Sequence, residues 1–272
     1  MTRTVLLTGA AGGVGTILRP MLRDRYERVI LSDRAPLEDP AANEESRPAE
    51  LTDLAAMAAA CDGADGLVHL GGQSVEAGWD TVDASNIQGM MVTMEAARAA
   101  GIGRVVFASS NHAVGMYPRR RRIDAEVRVR PDSRYGLSKV FGEGVCALYA
   151  DKHAMRCLSI RIGNVADRPA DARRLSMWLH PEDLMRLVVI GLEHPGLHHE
   201  VVYGASDCTR AWWDNAAAHR LGYRPAHRAE DHVEFAMGEQ AGLEPDPVGD
   251  LFEGGGFASA EFDGDLDRTL WS

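Results

Sequence analysis

Cysteine is scarce in this sequence. The four residues Cys61, Cys146, Cys157 and Cys208 contain no C-x-x-C pair. That spacing offers neither a disulfide framework nor a zinc ribbon, and it suits reduced thiols in a cytoplasmic protein. The ten histidines include the adjacent His198-His199 but no H-E-x-x-H, so no metal site is expected. Long apolar runs are missing. The segment after Met1-Thr2-Arg3 is too short for the core of a signal peptide, and nothing approaches membrane-spanning length. Repeats and low-complexity tracts are also absent. Positive charge is in deficit: 29 Lys and Arg against 40 Asp and Glu leave a formal net charge of -11. That balance excludes a general nucleic-acid binder, which needs a basic footprint. The run Arg119 to Arg122 is the exception; it reads as a solvated loop, with steering of an acidic substrate as the alternative.

What is present is a core-forming composition. With 272 residues, 45% of them hydrophobic, the chain can hold one large α/β domain, or one domain with a short appendage. Strands are expected at 4–8, 29–32, 66–70, 104–108 and 155–162, with a weaker one near 47–51. Helices are expected at 14–23, 54–61, 81–100 and 135–152. This alternation predicts an α/β, Rossmann-type, doubly wound parallel sheet over 1–165. Residues 166–272 read as a small C-terminal region covering the substrate, with helices near 182–194, 212–221 and 231–240 and a short strand at 201–204. Gly9, Asp33, Gly71, Ser110 and Gly163 all fall at the predicted carboxyl ends of strands, the edge where such sheets bind ligands.

Two patterns on that edge carry chemistry. Gly9, Gly12 and Gly15 form a G-x-x-G-x-x-G turn between the first strand and the first helix. Glycine lets backbone approach a pyrophosphate closely, and the helix N-terminus supplies free N–H groups. Asp33, 18 residues beyond Gly15, sits near the spacing at which an acid accepts from the adenosine ribose hydroxyls. It favours NAD over NADP, although Arg34 could accommodate a 2′-phosphate; the plain alternative for Asp33 is a strand-end turn residue. Tyr135 and Lys139, four residues apart, share a helix face. A free phenol with a pKa of about 10 is a poor base at neutral pH. A neighbouring ammonium and a cationic nicotinamide ring would favour its phenolate.

Together Thr8-Gly9-Ala10-Ala11-Gly12-Gly13-Val14-Gly15, Asp33, His69-Leu70-Gly71-Gly72, Ser109-Ser110-Asn111-His112 and Tyr135-x-x-x-Lys139 resemble the extended short-chain dehydrogenase/reductase (NAD-dependent epimerase/dehydratase) superfamily. More narrowly, Ser74-Val75-Glu76, Tyr117-Pro118-Arg119, Arg130-Pro131-Asp132-Ser133, Arg161-Ile162-Gly163, Asp171-Ala172-Arg173, Val202 to Ser206 and Trp212 to Asn215 resemble uronate dehydrogenases. The resemblance runs from about residue 4 to 257. It implies oxidation of a hexuronic acid, glucuronate or galacturonate, at the anomeric carbon, with NAD as acceptor and an aldaric acid lactone as product. It also implies self-association into a homo-oligomer. By the same resemblance Tyr135 is the base, Lys139 lowers its pKa and contacts the nicotinamide ribose, and Ser110 orients the reacting hydroxyl.

The candidate cofactor residues are Gly9, Gly12, Gly13, Val14, Gly15, Asp33, Arg34, Leu51, Leu70, Gly71, Gly72, Ser109, Tyr135, Lys139, Ile162 and Val165. The candidate sugar residues are Ser74, Ser110, Asn111, His112, Asn164, Arg173 and Phe257, with Arg173 facing the carboxylate and Arg174 as its competitor. The chain departs from the family pattern at Asn164, where Ser is usual, at Glu50-Leu51, where Asp-Leu is usual, and over 166–170. Two other readings stay open: an epimerase or dehydratase acting on a nucleotide-linked sugar, and a noncatalytic dinucleotide sensor.

Overall fold

Short apolar runs, buried almost end to end, build the centre of the molecule. The computed structural model describes residues 2–271 apart from Ala35 and Glu38. In chain order the elements are β1 (Thr4–Thr8), α1 (Gly13–Arg25), β2 (Arg28–Ser32), β3 (Glu44–Ser46), α2 (Leu54–Cys61) and β4 (Gly66–His69). Then come α3 (Trp79–Val82), α4 (Gly89–Ala99), β5 (Arg104–Ser110), α5 (Arg134–His153), β6 (Arg156–Ile162), β7 (Asn164–Val165) and β8 (Trp178–Leu179). The chain finishes with α6 (Pro181–Glu193), β9 (His199–Gly204), α7 (Ala216–Arg220), α8 (Val233–Gln240), α9 (Gly256–Ser259) and α10 (Leu266–Trp271).

Seven strands form one sheet in the order β3-β2-β1-β4-β5-β6-β9, and every pairing in it is parallel. The order reverses between β1 and β4, the switch point where such sheets leave a crevice. Side chains alternate across the sheet. Val5 and Leu7 face a core with Leu18 and Leu22 of α1 and Leu184, Leu187 and Val188 of α6. Leu6 faces the opposite core, with Met57 of α2, Met94 of α4 and Cys146 and Tyr149 of α5. Burial on both faces explains why the strands read as continuous apolar runs rather than alternating ones.

The structure differs from the sequence reading in four places. The weak strand lies at Glu44–Ser46, not at 47–51. It is a charged edge strand held by Arg19, whose guanidinium donates to Glu44, so no apolar pattern marked it. The long helix expected over 81–100 is present without a break from Trp79 to Ala99, but it takes the π form over Asp83–Gln88, between α3 and α4. Trp213 does not open a helix: it stacks on Tyr203 at 4.6 Å and bridges to Ile123, leaving only Ala216–Arg220 helical. Finally, α6 and β9 lie beyond residue 165, yet α6 packs on the sheet and β9 pairs with β6. Residues 166–272 therefore complete the sheet as well as supplying the short elements beside the cleft.

Candidate active site

A cleft of ≈ 720 Å³ opens along the carboxyl ends of the strands. Every candidate cofactor residue lines it, from Gly9 to Val165, as do Ser74, Ser110, Asn111, His112 and Asn164. Gln73, Thr81, Ser85, Glu50 and Gly163 also line it. Arg173 and Phe257 do not.

The nucleotide end is built by the first turn. Gly9 has φ 68°, and a Cβ there would stand 2.8 Å from the Leu70–Gly71 backbone. At Gly15 a Cβ would stand 2.2 Å from the Gly9 carbonyl oxygen, so only glycine lets α1 start this close to the turn. The cap residue of α1, Gly12, contributes no side-chain hydrogen bond, and no acidic residue stands in the first turn. The N–H groups there remain available to an anion. Asp33 ties this turn to β2, accepting from the Ala11 amide at 3.0 Å and the Arg34 amide at 2.8 Å. Each carboxylate oxygen keeps a lone pair for a ribose hydroxyl. The residues present therefore fit a dinucleotide.

The reacting end is built by β5 and α5. Ser133 caps α5, its hydroxyl accepting from the Gly136 amide at 2.9 Å. Glu76 accepts from the Tyr135 amide at 2.8 Å and pairs with Arg134. These contacts satisfy N–H groups that a helix start leaves free, and they fix Tyr135 in the first turn. The Tyr135 side chain is almost fully buried. Burial pushes its phenol up to about 12, opposed by a hydrogen bond with Ser110. Lys139 lies one turn along, its Nζ 5.4 Å from the Tyr135 ring centre, and burial lowers it to about 8. Asn86, in the π-helical stretch, accepts from the Gln73 amide at 2.7 Å and donates to the Ser138 hydroxyl at 2.9 Å. It is a clamp between the β4 loop and α5. The wide π turn brings it inward, a distortion common beside functional sites.

The far end of the cleft is polar and aromatic. His112 Nδ1 lies 2.7 Å from Asp132 Oδ2, which leaves the other ring nitrogen for the cleft. The His112 ring stacks on Phe257 at 4.0 Å and meets Tyr135 edge-on at 5.8 Å. Asn111 Nδ2 is buried with no hydrogen-bond partner. Such an orphan donor is costly unless a ligand oxygen meets it.

Arg173 and Arg174 are clearly distinguished. Arg174 pairs with Asp171. Arg173 donates from Nε (3.0 Å) and Nη2 (2.7 Å) to the Glu253 carbonyl, and no carboxylate lies within ion-pair distance of it among the described residues. Burial, with Arg119 and Arg174 nearby, lowers Arg173 to about 10. It lines a second cavity of ≈ 610 Å³, with Gly255 and Gly256 of the glycine turn, rather than the cleft itself. Arg119, expected to be solvated, instead holds that turn's flank by donating to the Phe252 and Gly249 carbonyls; Arg120 to Arg122 are exposed.

Several supporting residues carried no sequence signal of their own. Glu143 accepts from Ser109 Oγ at 2.6 Å and pairs with Arg161 at 2.9 Å, all buried beneath the cleft. Asp132 lies inside a segment noted only for its resemblance. His180 and Glu182, two residues apart, also converge with His227, more than forty residues on and so out of reach of spacing rules. There His180 Nδ1 accepts from the Glu182 amide at 3.2 Å, capping α6, and the two imidazoles stack 3.5 Å apart.

The comparisons with known proteins agree with this geometry. The model of the NAD dependent epimerase/dehydratase family matches residues 5–180. The uronate dehydrogenase of Pseudomonas putida is 42% identical over 257 residues, covering 94% of this chain and 96% of that protein. The crystal structure of glucuronic acid dehydrogenase from Chromohalobacter salexigens superposes with a TM-score of 0.92 at 43% identity, covering 95% of this chain and 97% of that one. A uronate dehydrogenase from Agrobacterium tumefaciens, solved as a tyrosine-to-alanine mutant complexed with NAD, superposes with a TM-score of 0.88 at 38% identity, covering 95% of this chain and 97% of that one. The chain belongs to the NAD dependent epimerase/dehydratase family and, within it, to the uronate dehydrogenases.

Proposed function

We propose that the protein oxidises a hexuronic acid at its anomeric carbon, with NAD as acceptor, and releases an aldaric acid lactone. One observation carries the reading. The Tyr135 phenol, with Ser110 near enough to favour its phenolate and Lys139 one turn along, stands where a cleft that begins as a dinucleotide site becomes a pocket of Asn111, His112 and Asn164. NAD, when bound, supplies the hydride acceptor and a positive ring beside the phenol. Tyr135 takes the proton from the anomeric hydroxyl as the C1 carbonyl forms. Ser110 holds that hydroxyl toward the phenol, and Lys139 favours the phenolate electrostatically. The orphan Asn111 Nδ2 donates to a ring hydroxyl. The cationic Arg173, with no acidic partner, takes the sugar carboxylate in a forked contact; Phe257 and the turn before it cover the sugar.

Two coarser features complete the proposal. Met91 on α4 and Leu137 and Leu148 on α5 are exposed apolar residues, which supports association of two copies through these helices. Four buried free thiols suit a reducing cytoplasm; among the described residues no helix is long and apolar enough to cross a membrane.

Mixing the protein with NAD and glucuronate or galacturonate should raise the absorbance of reduced cofactor. NAD binding without reduction by either sugar would instead point to a sensor or to a nucleotide-linked sugar. Arg173→Ala should raise KM for uronate about 10- to 100-fold, the range for losing hydrogen bonds to a charged group. KM for NAD should stay within about twofold. Equal changes in both constants would remove Arg173 from the carboxylate.

A further inference from the structure

Glu253 is an unusual neighbour for a carboxylate-binding arginine. Its side chain is fully buried. One oxygen accepts from the Trp213 indole N–H at 2.7 Å, and the other, Oε1, has no hydrogen-bond partner. Its backbone carbonyl is the atom that holds Arg173. An ionised carboxylate with one bare oxygen is costly in such a place. Three guanidiniums face it from separate elements: Arg173 before β8, Arg161 on β6 and Arg119 after β5. None makes an ion pair with it among the described residues. Arg161 is spent on Glu143, and Arg119 donates to carbonyls and lies 3.6 Å from Asp250. The Tyr203 phenol, stacked on Trp213, also lies near it, and the Asp132 carboxylate, held by His112, packs against Gly254 on the Arg173 side.

We propose that Glu253 is a positioning residue for the sugar carboxylate, kept neutral behind Arg173 so that the guanidinium's charge stays available to the substrate. The inference rests on the reading of Arg173 given above. Burial holds the Glu253 carboxyl up at about 8 against the pull of the three arginines. Ionisation there places a second anion in competition with uronate for Arg173. Binding of the uronate anion therefore favours the protonated form of Glu253. By linkage, uronate affinity falls as pH rises through about 8, while NAD, held at the other end of the cleft, is indifferent.

The test is KM for uronate from pH 7 to 9 at saturating NAD, in the wild type and in Glu253→Gln. Gln keeps an acceptor for Trp213 and cannot ionise. The wild-type KM should rise about tenfold over that range, the value for one ionisation near 8 when only the protonated form binds uronate. In Glu253→Gln the rise should shrink to less than about twofold, and KM for NAD should be flat in both. A wild-type profile without the rise, or a rise that survives in Glu253→Gln, overturns the proposal. An infrared carbonyl band of a protonated carboxyl, present at pH 7 and lost by pH 9.5 in the wild type, reports the same group without uronate. Its absence at pH 7 also overturns the proposal. If Arg173→Ala leaves uronate KM unchanged while the band is present, the Arg173 reading has failed; if Arg173→Ala raises KM but the wild-type profile is flat, Glu253 alone has failed.

Discussion

Tyr135→Phe lowers kcat for uronate oxidation by about 10²–10⁴-fold, the usual worth of a positioned acid–base group, and leaves KM for NAD within about twofold. The substitution removes one oxygen and little else. The ring keeps its edge contacts with His112 at 5.8 Å and Phe257 at 6.1 Å, and the backbone keeps its bond to Glu76. What disappears is the hydroxyl whose ionised form Ser110 favours. The electrostatics explain why that hydroxyl needs its partners. Burial, opposed in part by Ser110, drives the phenol up to about 12, and burial drives the ammonium of Lys139 down to about 8, so the cofactor-free pair is neutral phenol beside a weakened cation. An added positive charge at the nicotinamide end of the cleft moves the phenol further toward ionisation, which couples base strength to the presence of oxidised cofactor. Because the active form is the ionised phenol, wild-type kcat climbs as pH rises and then levels. In Tyr135→Phe that climb should vanish. Stopped-flow measurement of cofactor reduction checks both results, and turnover within threefold of wild type would remove Tyr135 as the base.

The features that could be read in advance share a property: each is local in sequence. β1, the glycine turn and Asp33 lie within one βαβ unit, and Tyr135 and Lys139 lie within one helical turn. Strand carboxyl ends then bring such local signals to one edge, so the cleft followed from the strand assignments alone. What was not legible depends on contacts between distant segments. β3 is a strand because Arg19 of α1 and the β2 backbone hold it, not because of its own residues. Asn86 faces Gln73 and Ser138 only because six residues of the helix take the π form. Arg173 and Arg174 differ by nothing in the sequence; an Asp three residues back captures one of them. Glu143, Arg161 and Glu253 come from an α-helix, a strand and a C-terminal turn, and no spacing rule connects them.

Arg161→Met should be the most destabilising single change at the site, costing about 3–5 kcal/mol in urea or guanidinium unfolding. The Arg161 and Glu143 side chains are only 3% and 8% exposed, and they form two parallel bonds of 2.9 Å. Glu143 also receives the Ser109 hydroxyl, while Arg161 reaches the Ala125 carbonyl at 3.3 Å. Removing the guanidinium leaves a carboxylate buried between β5 and α5 without its counter-charge, and that penalty exceeds what the pair contributed when intact. For a chain of this size the loss corresponds to a fall in Tm of about 10 °C. Arg161→Met combined with Glu143→Leu removes both charges and fills the space with apolar groups. It should recover most of the lost stability, since a buried pair replaced as a pair is often close to neutral. Activity should not recover in step. The pair joins β5, α5 and β6, the elements that carry Ser110, Tyr135 and the Ile162 wall of the cleft. Ser109, losing its acceptor, no longer anchors the strand end next to Ser110. A double variant as active as the wild type would mean that the ion pair serves folding alone. A stable double variant with depressed kcat and unchanged KM for NAD would assign it to the alignment of Ser110 with Tyr135.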